Sequence, residues 1–526
     1  MSFATLAYGL LLMALVFHNI IKSFWCKSVK GISKPLQLPP GPAPWPVVGC
    51  ALSVLRNKPS GQWILRWMEE MDTNIACFRI GNTHVISVTD PKIAREFLIK
   101  QDATFASRPV SMSSRALSGG YLTAIFSPHR EQWQKMRRVV KLEIICPVRY
   151  KWLHDKRAEE AANLMKYVFN QCQSLGQVNL RQTARHYCGN VIRRLMFSKR
   201  YFGKGREDGG PTMDEEQHVD ALFKAVNYLY AFCVSDYFPF LVGLDLDGHE
   251  KVVKDCTRTF RRLHEPIVNE RIKQWRDHSS SQSNEKEPQD LLDVLIMLKD
   301  SQGKPLLTPH EVKAQVTEIM MAAVDNPSSA VEWAMAEMIN QPELLKKARE
   351  EIDRVVGKER LVQESDIPQL NYIKACAREA FRLHPIVPFN VPHVALSDAV
   401  VAGYHIPKGS HILLSRLGLG RNPRVWDEPL EFKPERHITS DDVEVVLAEP
   451  DLRFITFSTG RRGCVAMQLG TTVIVMLLAR LIQGFNWSMP PNVSSIDLKE
   501  SRDDLSLAEP LVLQAELCLP NHLYPI

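Results

Sequence analysis

Apolar positions run almost unbroken from Phe3 to Phe17, and Ile20, Ile21, Phe24 and Trp25 carry the run past His18 and Asn19. At about 20 residues this stretch is long enough to cross a bilayer as a helix. Lys22, Lys27, Lys30 and Lys34 lie at or beyond its end and no basic side chain precedes it. That bias predicts a single-pass anchor with the remainder of the chain in the cytoplasm. A cleaved signal peptide would want a basic start and a small-residue cleavage site, and neither is evident. We therefore expect residues 1–25 to form an anchor and residues 26–50 a basic, then proline-rich hinge. Within it, Leu38-Pro39-Pro40-Gly41-Pro42-Ala43-Pro44-Trp45-Pro46 has few amide donors and favours extended backbone, so it reads as a stiff spacer. The body of the protein is expected to span 51–526.

Beyond the hinge the apolar spacing is mostly helical, which predicts a mainly α fold with a minor β region. The alternation His84-Val85-Ile86-Ser87-Val88 marks a strand near the front of the body. Two polar stretches, Gly203 to Glu216 and His278 to Asp290, read as exposed loops inside one domain because helical patterns resume on each side. Thr308, Pro309 and Glu311 supply an N-cap, a first-turn proline and a capping-box glutamate. Apolar residues continue from there to Ile339, before Pro342 starts another element. That predicts a helix of about 30 residues, roughly 45 Å, long enough to cross the whole domain. Pro327 inside it frees a carbonyl and predicts a kink.

Composition changes this picture little. The chain has 526 residues, 45% of them apolar and 24% charged, as expected for a globular protein with a large core. A net charge of +6 suits an acidic protein partner or an anionic membrane surface, and is too diffuse for nucleic acid. The 11 cysteines are scattered and include no C-x-x-C pair, which reads as reduced thiols in a cytosol-facing protein.

One cysteine stands apart, in Phe457-Ser458-Thr459-Gly460-Arg461-Arg462-Gly463-Cys464. Glycines at 460 and 463 permit a tight loop close to a flat ligand. Arg462 can pair with an anionic group on such a ligand. Cys464 stands where a helix through Leu469, Val473 and Leu477 begins, so helix dipole and free amides would favour a thiolate. Gln468, Thr471, Thr472 and Arg480 interrupt that helix, which reads as core and not as a membrane span. The segment resembles the haem-binding loop of the cytochrome P450 superfamily, F-x-x-G-x-R-x-C-x-G: Phe457, Gly460, Arg462 and Cys464 match, and Ala466 replaces the last glycine.

Further motifs extend the resemblance over nearly the whole chain. Glu379-Ala380-Phe381-Arg382 resembles the superfamily's E-x-x-R helix motif, and residues three apart share a helix face. By the resemblance, Arg436 in Pro434-Glu435-Arg436 joins Glu379 and Arg382 in a buried structural network behind the haem. Trp133 and Arg137 resemble the W-x-x-x-R pair whose arginine meets a haem propionate. The resemblance implies the superfamily's helical prism behind an N-terminal transmembrane helix, with haem b whose iron is bound by Cys464. An axial thiolate pushes electron density to iron and favours O–O cleavage. Electrons would come from NADPH through a flavoprotein reductase, NADPH–cytochrome P450 reductase, docked on Lys135, Arg137, Arg138, Lys141 and Arg461. With the anchor, this implies an endoplasmic reticulum membrane protein whose catalytic domain is cytosolic.

Carbon-hydroxylating members usually carry A-G-x-D-T-T in the long helix, and here the stretch reads Ala322-Ala323-Val324-Asp325-Asn326-Pro327. Asn326 offers an amide in place of a hydroxyl, so Asp325 and Asn326 must arrange proton delivery differently. Asp325-Asn326-Pro327-Ser328, Phe389-Asn390-Val391-Pro392-His393, Pro434-Glu435-Arg436-His437 and the Phe457–Arg462 loop together resemble the plant amino-acid N-monooxygenases. His154 to Glu160 and Leu244-Asp245-Leu246-Asp247-Gly248 add to the likeness, particularly to members acting on valine, isoleucine or phenylalanine. The resemblance implies two N-hydroxylations of a hydrophobic L-amino acid, then loss of carbon dioxide and water to give an aldoxime. Aldoximes feed cyanogenic glucosides, nitriles or volatile defence compounds, so downstream aldoxime-metabolising enzymes are candidate partners.

The substrate's carboxylate needs a cation in an otherwise apolar pocket. Arg115 is the candidate by position, Asn390 and His393 are candidates for the amine, and Val324, Phe389, Val391 and Leu507 for apolar walls. The competing readings are a carbon hydroxylase of plant specialised metabolism, an isomerase that rearranges lipid hydroperoxides on the same scaffold, and a non-catalytic haem protein. The anchor and the compact Phe457–Cys464 loop count against the isomerase.

Overall fold

A computed structural model describes residues 36–277, 287–440, 443–501 and 504–525. The expected anchor, the hinge up to residue 35 and most of the polar stretch after Asp277 lie outside the described residues.

Helices dominate. Seven of them matter to the site: α1 (Glu131–Val139), α2 (Leu180–Phe197), α3 (Met213–Tyr230), α4 (His249–Asp277), α5 (Pro309–Asn340), α6 (Asn371–Leu383) and α7 (Met467–Gly484). The long helix α5 starts as its sequence dictates. Thr308 Oγ1 accepts a hydrogen bond from the Glu311 amide, the Glu311 carboxylate accepts one from the Thr308 amide, and Pro309 occupies the first turn. It continues through Pro327, whose missing N–H leaves the Ala323 carbonyl without its usual partner. Helices α2, α3, α4, α6 and α7 all pack against α5, which makes it the central strut of the core. Trp333 on α5 stacks on His384 at 3.9 Å between ring centroids, and its indole N–H donates to the Leu505 carbonyl.

By length and composition α7 could cross a membrane, but it is buried from Thr472 to Gly484 against the other helices, as a core element. Helix α3 begins inside the stretch expected to be a loop: Thr212 and Glu215 form a capping box there, and only residues 203–211 remain irregular. The chain's local capping chemistry outweighed its polarity.

A four-stranded sheet lies at the front. Its strands are β1 (Ile75–Ile80), β2 (Thr83–Val88), β3 (His393–Val394) and β4 (His411–Leu414), in the order β1-β2-β4-β3. β2 is antiparallel to β1 and parallel to β4, with Val85 opposite His411 and Val88 opposite Leu414. The proline-rich part of the hinge is no free spacer. Pro40 accepts from the Cys77 amide, Gln37 from the His405 amide, and Gly49 pairs with Ile80. A Cβ at Gly41 would meet the Cys77 carbonyl at 1.9 Å, so only glycine lets the segment lie flat on β1. The ten described cysteines are all free thiols.

Candidate active site

Cys464 sits three residues before α7, in a loop whose shape its neighbours impose. Gly460 has φ +71°, and a Cβ there would come within 2.4 Å of the Leu98 carbonyl. The Cys464 amide donates to the Phe457 carbonyl at 2.8 Å, and the Phe457 ring rests over Gly470 of α7. The Ala466 amide points at Cys464 Sγ at 3.3 Å. Burial pushes the thiol up, while the Ala466 amide and the charges of Arg137 and Arg416 pull it down. The side chain nonetheless keeps an accessible surface, so it faces an opening within the protein.

Helix α5 becomes accessible at one place near its middle. Ala322 is exposed and Asn326, one turn on, is half-buried, in the middle of an otherwise buried helix. Asp325 points elsewhere. It is buried, its Oδ2 has no hydrogen-bond partner, and burial pushes its carboxyl up to about 7 against the pull of Arg185. The structure thus separates the two candidates in proton delivery: Asn326 lies on the open face and Asp325 in the interior.

Three guanidinium groups cluster on another side. Arg462 donates to the Ala106 carbonyl at 2.6 Å and the Ser127 carbonyl at 2.8 Å, and lies 4.3 Å over the Trp133 ring. Burial, then the charges of Arg108 and Arg137, lower it to about 8. Arg137 donates to the Gly463 carbonyl at 2.6 Å, and Arg108 to the carbonyls of Val391 and Pro392 at 2.8 Å each. The buried Trp133 Nε1 has no partner. Arg108 was invisible in sequence, where Ser107-Arg108-Pro109 belongs to no motif. His393, expected at the substrate, belongs to this cluster: its Nδ1 is 2.8 Å from the Phe105 carbonyl, and burial with Arg108 and Arg462 holds the ring neutral.

Behind the loop, Glu379 is fully buried and accepts from Arg382 at 2.7 and 2.8 Å, from Arg436 at 2.9 Å and from the Lys433 amide at 2.9 Å. His437 adds a contact the E-x-x-R motif does not anticipate, with Nε2 2.7 Å from Glu379.

The substrate candidates are scattered. Phe389 and Val391 line one cavity of about 100 Å³ together with Arg108, Phe126 and Phe232. Val324 and Leu507 are buried core residues. Asn390 donates to Ser458 Oγ at 3.1 Å, which ties the wall to the cysteine loop. Arg115 is exposed on the short helix Met112–Leu117.

A loop of this shape around one accessible thiol, a cation cluster with an unpartnered indole N–H and a central helix opened at Ala322 suit a flat, anionic, metal-bearing group. The family model for cytochrome P450 matches residues 39–514. The chain belongs to the cytochrome P450 family.

Curated relatives within the family narrow the likeness. The chain is 60% identical to a tyrosine N-monooxygenase of Sorghum bicolor over 94% of its own length and 88% of the relative's. It is 58% identical to valine N-monooxygenase 2 of Manihot esculenta, over 97% and 93%. It is 53% identical to isoleucine N-monooxygenase 1 of Lotus japonicus, over 98% and 96%. A solved zebrafish cytochrome P450 with progesterone shares the fold, with a TM-score of 0.69, 23% identity and coverage of 88% of this chain and all of that one.

As a cytochrome P450, the protein is a haem-thiolate monooxygenase that carries haem b and draws electrons from NADPH through a reductase. The donor set fits haem: one thiol for the iron, and three guanidiniums with an orphaned indole N–H for two carboxylates. Of the five cations expected on the docking face, Arg138 and Lys141 are exposed and Arg461 pairs loosely with Asp102. Lys135 instead turns to Glu311 at 2.6 Å, and Arg137 turns inward.

Arg462→Leu strips the Ala106 and Ser127 carbonyls of their donor and removes a charge the cluster is built around. We expect a loss of roughly 2–4 kcal/mol, read as a lower Tm, together with faster haem loss on gel filtration.

Proposed function

We propose that this cytochrome P450 converts a hydrophobic L-amino acid to its aldoxime. The observation that carries the reading is identity of 53–60% along nearly the full length of relatives named as amino-acid N-monooxygenases. Each of two turnovers consumes one dioxygen and two electrons, places a hydroxyl on the amino nitrogen and releases water. Loss of carbon dioxide and water from the product then leaves the oxime. The haem supplies oxygen activation when bound.

In this reading Cys464 would bind the haem iron, and Gly460 and Phe457 would shape the loop that lets the group approach. Arg462, Arg137 and Arg108 would meet its anionic edge with charge and Trp133 with its indole N–H, while the neutral His393 props the Phe105 backbone beside them. Asn326 faces the reacting space from α5 and can orient water or the substrate's amine. The Asp325 carboxyl, raised to about 7 by burial, stays in the interior beside Ser329, away from that face. Glu379, Arg382 and Arg436 hold the scaffold behind the loop. Phe389 and Val391 serve as apolar walls, Val324 and Leu507 back the core behind them, Asn390 positions the wall at Ser458, and Arg115 stands at the rim, where an incoming carboxylate meets it first.

Residues 1–25 are proposed as a single-pass anchor in the endoplasmic reticulum membrane, residues 26–50 as the hinge and residues 51–526 as the cytosolic catalytic domain. NADPH–cytochrome P450 reductase docks on Arg138, Lys141 and Arg461, and aldoxime-consuming enzymes work downstream in defence-compound synthesis.

The test is direct. Microsomes holding the full-length protein and a reductase, given NADPH and each protein amino acid in turn, should release an aldoxime from one or a few apolar ones. Turnover of a lipid hydroperoxide with no oxime from any amino acid would overturn the proposal.

A further inference from the structure

Leu244-Asp245-Leu246-Asp247-Gly248 lies in the connection between α3 and α4, where its first carboxylate is a cap. Asp245 accepts from the amides of Glu250 and Lys251 at 2.8 and 3.0 Å, which starts α4. Asp247 accepts from the Val234 amide at 2.8 Å and is half-buried. It also has neighbours that capping does not require. A carboxylate oxygen of Asp247, the Cys233 sulfur and a His249 ring nitrogen all lie within 4.8 Å of one another. Cys233 and His249 are only 1% and 2% accessible.

Sulfur, imidazole and carboxylate together are the donors of a borderline-soft cation such as Zn²⁺, and a poor set for Mg²⁺ or Ca²⁺, which take oxygen. The surroundings suit ligation. The Tyr228 carbonyl takes a ring N–H of His249. With the proton on that side, Nε2 keeps its lone pair for the Ser113 hydroxyl, 2.7 Å away, or for an ion in its place. Burial, then the charges of Asp236 and Asp247, push the Cys233 thiol up to about 12, while the Ser235 and Asp236 amides pull it down. A bound cation offsets both charges and takes the thiolate. The ligand atoms of a tetrahedral zinc lie roughly 3.3–3.6 Å apart, so closing the set needs side-chain movement on the order of 1 Å. Asp247 and His249 also line a cavity of about 760 Å³ bordered by α3, α4 and residues 386–388. It gives an ion a way in and leaves room for water as a fourth ligand.

We propose that Cys233, Asp247 and His249 form a binding site for a zinc-class divalent ion, with water completing the coordination. Binding releases the Cys233 proton to solvent and clamps the two ends of the α3–α4 connection to each other at the edge of the cavity. The site does not depend on the amino-acid reading above.

The experiment uses the full-length holoenzyme in detergent, without a metal-binding tag, as wild type, Cys233→Ser, Asp247→Asn, His249→Gln and the control Cys146→Ser. Each is stripped with a chelator, freed of it, and brought to equilibrium by dialysis against a series of free Zn²⁺ concentrations. Metal is then counted per haem. The carbon monoxide difference spectrum and Tm verify the fold and show that the haem site is intact. The wild type and Cys146→Ser should take up one zinc per haem that a large excess of Mg²⁺ does not displace. Each of the three ligand variants should bind it at least about 30-fold more weakly. Zn²⁺ should also slow hydrogen exchange in residues 231–249 of the wild type and not of Cys233→Ser. If Cys233→Ser does not retain haem, Asp247→Asn, which keeps an acceptor for the Val234 amide, carries the same comparisons. No zinc uptake by the wild type, equal uptake by the ligand variants, or protection of a different segment overturns the site while leaving the proposed function intact.

Discussion

Cys464→Ser should yield a protein without the thiolate-type carbon monoxide difference spectrum and with oxime formation reduced by at least about a thousand-fold, roughly 4 kcal/mol of barrier. The structure explains why serine cannot substitute. The Ala466 amide and the charges of Arg137 and Arg416 all favour negative charge on the side chain, against the burial that opposes it. A thiol has an ordinary pKa low enough for that balance, and for iron, to win; a hydroxyl does not. A neutral oxygen ligand also withholds the electron density that favours O–O cleavage. The loop itself should survive, because Gly460 and the Cys464-to-Phe457 backbone bond do not depend on sulfur. Cys146→Ser, at a half-buried thiol remote from the loop motif, is the matched control and should behave as wild type. A normal carbon monoxide spectrum in Cys464→Ser would refute the ligand assignment.

The features that were legible in sequence are those written in local chemistry. The cap at Thr308, Pro309 and Glu311 set the start of α5 because each partner lies within three residues of the next. The cysteine loop was readable because glycines, an arginine and a thiol must sit at fixed offsets to surround a flat group. Arg108 and the contact that His437 makes were not readable for the opposite reason. Arg108 meets its carbonyls 283 and 284 residues away, and His437 meets Glu379 at a separation of 58. No periodicity encodes such distances. His393 was misplaced because the segment after α6 turns back as β3, which carries its ring to Phe105 and the arginine cluster. The proline segment looked like a spacer because its composition is that of one. Its pairing to β1 depends on Gly41 and on an edge of the sheet that only the folded chain supplies.

The charge network around Glu379 carries the second large effect. Burial alone would raise this carboxyl, yet two hydrogen bonds from Arg382, one from His437 and the Arg382 charge bring it down to about 2 from an ordinary 4.5. A group depressed in the folded state contributes stability that is complete above its unfolded pKa and is lost as the pH falls through the folded one. The network should therefore be at full strength at neutral pH and weaken between about pH 4.5 and 2. Glu379→Gln keeps the shape but leaves the fully buried Arg382 without its counter-charge, and breaking one side of a buried pair costs about 3–5 kcal/mol. Arg382 also donates to the carbonyls of Gly420, Pro429 and Glu431, so the damage spreads into the segments that lead to the cysteine loop. We expect the variant to accumulate poorly and, where it folds, to show a lower Tm than wild type at pH 7. That gap should narrow as the pH is lowered toward 3, because protonation takes from the wild type what the substitution has already removed. A gap that stays constant over that range would mean that Glu379 acts through packing alone. His437→Phe probes the same site more gently: it removes one of the carboxylate's partners and leaves both arginines in place, so its loss should be a fraction of that in Glu379→Gln.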